Sequence, residues 1–101
     1  MAVMNVVDMR VKPGMEGAFV RIHREDKVTG GLKSGRNFWL IGSGERSFIV
    51  AGEWDSAEAL ADARPEMIAN LNRLRPILED LGGGRGVTEA WSGAVALHLP
   101  L

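Results

Sequence analysis

Cysteine and tyrosine are both absent from this chain, and histidine occurs only at positions 23 and 98. Without thiols there are no disulfide staples, thiolate nucleophiles, cysteine-ligated zinc or Fe–S clusters. The two histidines form no H-x-x-x-H or H-E-x-x-H pair, so no metal site is expected. Net charge is nearly absent too: 12 Lys and Arg stand against 13 Asp and Glu. That balance argues against a basic nucleic-acid surface and against a polybasic membrane patch. Long apolar runs are missing as well. Phe38–Gly42, Phe48–Gly52 and Gly93–Leu97 are the longest, far short of the roughly 20 residues a membrane span needs. Asn5 and Asp8 lie close behind Met1, unlike a signal peptide, so a cytoplasmic location is expected.

What is present is 101 residues at 46% hydrophobic, the make-up of one globular domain over 1–101. Such a chain buries about two-thirds of its unfolded surface, enough for one core but little pocket depth. An enclosed site is expected to need a second subunit.

Val3–Val11 alternates imperfectly and predicts a strand, with Val3, Asn5, Val7, Met9 and Val11 on one face. Pro13-Gly14 then opens a helix. Its stripe is Met15, Ala18, Phe19 and Ile22, and its end is expected near Asp26, before Thr29-Gly30-Gly31. Asn37–Gly42 and Ser47–Trp54 around Ser43-Gly44-Glu45 predict a hairpin. Asp55 is the expected N-cap of the next helix, with Glu58 completing a capping box. Leu60, Met67, Leu71, Leu74, Leu78 and Leu81 form one stripe through Pro65 and Pro76, which predicts two or three helical pieces ending at Gly82-Gly83-Gly84. Val87–Leu97 returns as a strand.

The order β-α-β-β-α-β is a ferredoxin-like α+β sandwich, with both helices on one face of an antiparallel four-stranded sheet. The uncovered face is expected to carry Met4, Val6, Ile49, Ala51, Ala90, Ala94 and Ala96. That is too apolar for water, and the expectation is a homodimer packed face to face as a dimeric barrel.

Val-Lys-Pro-Gly (Val11–Gly14) leads into an amphipathic helix, and Glu-Trp-Asp-Ser-Ala-Glu-Ala-Leu (Glu53–Leu60) spans a strand-to-helix junction. Together they resemble the antibiotic biosynthesis monooxygenase-like domain of the dimeric α/β barrel superfamily. The resemblance implies a homodimer with one pocket per subunit, between sheet and helices. It implies oxidation of aromatic, anthrone or quinol-type compounds by O₂, with no cofactor. Two departures stand out. Where many relatives place a histidine about nine residues after the junction tryptophan, this chain has Ala63, beside Arg64. The Asn, Trp and His of the haem-degrading branch fall near Val7, Ala63 and Arg73, so haem degradation is not expected.

Among candidate site residues, His23 lies one position beyond the apolar stripe, as a base at a pocket mouth; a half-exposed helix histidine is the plainer reading. His98 reads as a surface or dimer-contact residue. Asn5 shares a face with Val7 and Met9, so its amide is either buried, bonding to the protein or to a ligand carbonyl as a catalytic donor, or exposed at the strand end. Trp39 and Trp91 suit the walls of an aromatic pocket, though core packing explains them equally well. Trp54 reads as structural. Asn70 and Arg73 flank the second stripe, either for a ligand oxyanion or as a solvated helix edge. Asp8, Arg10, Glu53 and Glu89 read as cross-strand ion pairs or dimer contacts. The glycine clusters lack the strand–loop–helix order and the Lys-Ser/Thr of a nucleotide site. The alternatives to an oxygenase are a non-catalytic binder of small hydrophobic ligands and a purely structural dimer.

Overall fold

Strand β1 (Val3–Val11) forms where β-branched residues recur at alternate positions, and it becomes the middle of an antiparallel sheet. The computed structural model describes residues 1–25 and 35–101. The expected end of the first helix near Asp26 and the Thr29-Gly30-Gly31 break lie outside the described residues. Helix α1 (Glu16–Arg24) follows β1, then the hairpin of β2 (Gly35–Gly44) and β3 (Ser47–Trp54). Helix α2 (Ala57–Leu74) leads into two short strands, β4 (Leu78–Glu79) and β5 (Glu89–Ala94).

The sheet runs β2-β3-β1, with β4 and β5 both on the far side of β1. β4 pairs with Val11 and Arg10, and β5 with Asp8 back to Val3, so the two lie end to end. They act as one edge strand interrupted by the glycine-rich 80–88 excursion. There Gly82, Gly83, Gly84 and Gly86 all have positive φ, a backbone that side chains resist. The fold is the ferredoxin-like α+β arrangement that the sequence implies.

Register assigns the faces. Asn5 lies opposite Gly52, and Val7 opposite both Val50 and Ala90; these face the helices. Trp39, Ala51, Val6 and Trp91 form a row across the other face. Ala90 and Ala94 were expected on that open face, but Ala90 pairs with Val7 and Ala94 with Val3, which turns both to the helix side. The phase of β5 is thus one residue from the expected one, and a one-residue shift reverses every side chain.

The second helix also departs from expectation. Ser56, not Asp55, caps α2: its hydroxyl accepts from the Ala59 N–H at 3.1 Å. Pro65 sits inside a continuous α2 instead of starting a new piece. Both Pro65 and Ala61, whose carbonyl loses its helical donor, are exposed, so water can serve that carbonyl. The helix ends at Leu74, and Arg75–Ile77 form a 3₁₀ turn. Leu78 and Leu81 are buried from a strand and a loop rather than from the helix.

The core is in two parts. Met9, Val11, Phe19, Leu74 and Leu78 form one cluster, while Val3, Trp54, Leu60 and Ala63 form the other. Along β1 the inward residues run Val3, Asn5, Val7, Met9, Val11, so Asn5 and Val7 fall between the clusters. Along α2 the same gap falls at Met67, Asn70 and Leu71.

Candidate functional site

That gap is a cavity of about 220 Å³ between sheet and helices. Val7, Met9, Val50, Met67, Leu71 and Leu74 give it apolar walls. Asn5, His23, Trp54, Arg64, Asn70 and Thr88 supply its polar groups. Among the described residues, no aspartate or glutamate lines it.

Helix α1 brings His23 to the cavity because the buried face of that helix centres on Phe19 and His23, one turn apart. His23 is 6% exposed, so the half-exposed reading is corrected: the buried face is rotated by one position from the Met15–Ile22 stripe. Its Nδ1 lies 2.7 Å from the Phe19 carbonyl oxygen, which can only accept, so Nδ1 carries a proton. The ring packs against Phe19 and stacks on Phe38 at 5.7 Å. Burial lowers its pKa from the usual 6.5, against the opposing effect of the hydrogen bond to Phe19.

Helix α2 brings Asn70, which is 5% exposed. Arg73 Nη1 donates to Asn70 Oδ1 at 2.7 Å. Arginine has no acceptor, so the amide oxygen must face Arg73 and the Nδ2 amino group must face away. Asn70 Nδ2 is buried without a hydrogen-bond partner, and so is Trp54 Nε1. Each unpaired buried donor costs about 1–3 kcal/mol, and both residues line the one cavity. Two such donors, one on β3 and one on α2, call for an acceptor between the sheet and α2.

The candidates from sequence therefore divide. Asn5, His23 and Asn70 meet at the cavity. Arg73 is exposed, is absent from the cavity lining, and donates to Asn70, which lines it. Trp39 and Trp91 do not line the cavity; they stand on the open sheet face, 44% and 55% exposed. His98 is exposed in the C-terminal tail. Of the charged strand residues, Glu53 accepts from Asn37 at 2.7 Å and Glu89 pairs with Arg85 at 2.9 Å. Sequence reasoning missed Trp54 and Gly52 as site residues. The signal was present: Gly52 lies two positions before Trp54, on the same strand face, and the indole covers it so closely that a Cβ would sit 2.5 Å from the ring.

Among the described residues, no three His, Cys, Asp or Glu side chains are grouped as metal ligands would be. No described helix is long and apolar enough to cross a membrane.

No protein-family model matches the chain, and no curated protein matches it in sequence. Solved structures do match its fold. A Chloroflexus aurantiacus protein assigned to the antibiotic biosynthesis monooxygenases superposes with a TM-score of 0.70 at 16% identity, over 97% of each chain. A mutant of SnoaB, a cofactor-independent oxygenase of Streptomyces nogalater, gives 0.72 at 14% identity, over 99% of this chain and 98% of that one. A mutant of MhuD, with two manganese protoporphyrin IX bound per active site, gives 0.68 at 19% identity, over 97% and 98%. At such identities the likeness is one of fold: this chain folds as the antibiotic biosynthesis monooxygenases do.

Proposed function

We propose that the chain oxidises a small aromatic, phenol or quinol-type compound with O₂ in the cavity between its sheet and helices. The observation that carries the reading is the pairing of a buried His23, whose pKa is lowered by burial, with two partnerless donors, Trp54 Nε1 and Asn70 Nδ2, around apolar walls. The fold shared with a cofactor-independent oxygenase supports it.

In this reading His23 Nε2 takes a proton from the bound compound, and the donors and Asn5 hold the oxygen on which negative charge develops. The ring anion then passes one electron to O₂, and the resulting radical and superoxide combine through carbon and oxygen. The His23 imidazolium, acidic because it is desolvated, returns its proton to the peroxide. Where the attacked carbon keeps a hydrogen, loss of water leaves a carbonyl. Electrons flow from substrate to O₂ throughout, so no bound metal or flavin is required. Size narrows the substrate. A dry cavity of about 150 Å³ holds benzene, so 220 Å³ accommodates one ring with substituents or two fused rings, not a porphyrin.

The open sheet face belongs to the same reading. Trp39, Ile41 and Trp91 are exposed there beside Val6 and Ala51, an apolar plane that we assign to a second copy of the chain. Sedimentation showing a monomer at micromolar concentration overturns that assignment. For the reaction, oxygen consumption is measured with a panel of one- and two-ring quinols and phenols. Uptake lost in His23→Gln and Asn70→Ala supports it; no uptake with any member sinks it. A ligand-induced rise in Tm without uptake would instead identify a non-catalytic binding protein, which the two partnerless donors fit equally well.

A further inference from the structure

Helix α2 places a cation at this cavity with no carboxylate paired to it among the described residues. Arg64 lines the cavity from an exposed position, beside Ile68, which is 58% exposed one turn on. On a helix the neighbours of position 64 are residues 60, 61, 67 and 68. Here they are Leu60, Ala61, Met67 and Ile68, so the helix offers Arg64 no carboxylate. None of the ion pairs among the described residues involves it. Among the described residues the lining adds none either, since it contains no aspartate or glutamate. Deeper in, Trp54 Nε1 and Asn70 Nδ2 are donors without acceptors, and Arg73 fixes the amide so that it presents N–H rather than oxygen.

We infer that the cavity selects acidic aromatic ligands, with a carboxylate or comparable anion at Arg64 and a ring oxygen near Trp54 and Asn70. A guanidinium meets a planar carboxylate through two parallel N–H donors, which a neutral hydroxyl cannot match. Because Arg64 is exposed, its charge is partly screened by water and salt, and its effect is one of preference. The inference rests on the ligand-binding part of the proposed function and names its substrate class. It is independent of whether oxidation follows.

Titration calorimetry of the intact protein at low salt, with 2-naphthol and 3-hydroxy-2-naphthoate as probes, tests it. Both have two fused rings and one hydroxyl; only the second carries a carboxylate. The expected result is a preference of about ten-fold for the hydroxynaphthoate, the factor that corresponds to 1.4 kcal/mol. Arg64→Gln should bring the two ligands to within about two-fold, and Arg64→Lys should keep part of the preference. Equal affinity for the two in the parent protein, equal weakening of both by Arg64→Gln, or binding of neither overturns the inference. Oxygen uptake is read separately. A preferred hydroxynaphthoate that is never oxidised leaves this inference standing and removes the oxygenase reading. Turnover of neutral quinols with no preference for the acid does the reverse.

Discussion

Replacing Gly52 by alanine tests whether Trp54 really forms the floor of the cavity. A Cβ at residue 52 would lie 2.5 Å from Cζ3 and 2.6 Å from Cη2 of the Trp54 ring. Carbon atoms in contact sit about 3.5–4.0 Å apart, so the indole must move by roughly 1 Å or more. It has few places to go: Trp54 is 2% exposed and packed against Val3, Leu60 and Ala63. The remaining direction is into the cavity. Gly52 has an ordinary backbone conformation, so no φ strain enters and the whole effect is steric. Overpacking of this kind costs about 1–3 kcal/mol. For a domain of this size each kcal/mol lowers Tm by about 4–8 °C, so a drop of roughly 8–16 °C is expected for about 2 kcal/mol. Binding of a two-ring ligand such as 2-naphthol should weaken as well, because the displaced ring takes its room. Gly42→Ala is the control, since nothing lies within 4 Å of a Cβ there. It should change stability by no more than about 0.5 kcal/mol. Thermal unfolding and calorimetry on both variants decide the matter. A Gly52→Ala protein with Tm within about 2 °C of the parent and undiminished ligand affinity would refute the reasoning.

His23 gives stability a pH dependence of known sign. Its folded pKa lies below the usual 6.5, so as pH falls past about 6.5 the unfolded chain takes the proton first. Stability present above that pH is lost on going down, until folded His23 itself titrates. Between about pH 7 and about pH 5 the Tm of the parent should therefore fall more steeply than that of His23→Gln; parallel curves would contradict the burial of His23. Arg46 offers an ordering test. It has φ of 60°, and its guanidinium donates to the Val11 carbonyl at 3.0 Å and to Glu79 at 2.8 Å. Arg46→Ala loses these partly screened contacts, for about 1 kcal/mol, and keeps a left-handed backbone that costs alanine roughly 1 kcal/mol more than glycine. Arg46→Gly should thus be the more stable of the two by urea denaturation, and the opposite order would show that φ is not retained.

How much of this was legible in the sequence depends on which interaction fixed each feature. β1 begins and ends where its alternation does, because a strand buried on one face is specified by period two alone. The hairpin follows from two apolar runs around a short turn. The phase of β5 was not legible, since parity within a strand says which residues share a face but not which face meets the helices. That is settled by pairing with β1, where Ala90 meets Val7 and Trp91 meets Val6. The same limit misdirected Trp39 and Trp91 toward the cavity. Pro65 misled in another way: its missing N–H matters only if the carbonyl it deserts is buried, and Ala61 is exposed. The leucine stripe continued past Leu74 because the core continues, although the backbone there is no longer helical. Asn70 was within reach of sequence reasoning. Met67, Leu71 and Leu74 stand at i, i+4 and i+7, and Asn70 fills the i+3 place between them, one amide in an apolar stripe.

The two asparagines show why the cavity exists at all. On β1 and on α2 the inward stripe is apolar at both ends and carries an amide between them, at Asn5 and at Asn70. Leucine at both places would join the two core clusters into one, and the small chain would gain the apolar burial it lacks. Holding the clusters apart costs stability, and with Asn70 Nδ2 and Trp54 Nε1 unpaired the cost is raised further. A bound ligand that offers an acceptor to these donors would offset both penalties, as the proposed function requires. The opposite sheet face argues the same way, because its apolar row alternates residue by residue with the cavity side of the same strands. Val6 points out between Asn5 and Val7, which point in. One set of strands thus carries the cavity on odd positions of β1 and an apolar row on even ones. Neither surface can slip in register without destroying the other.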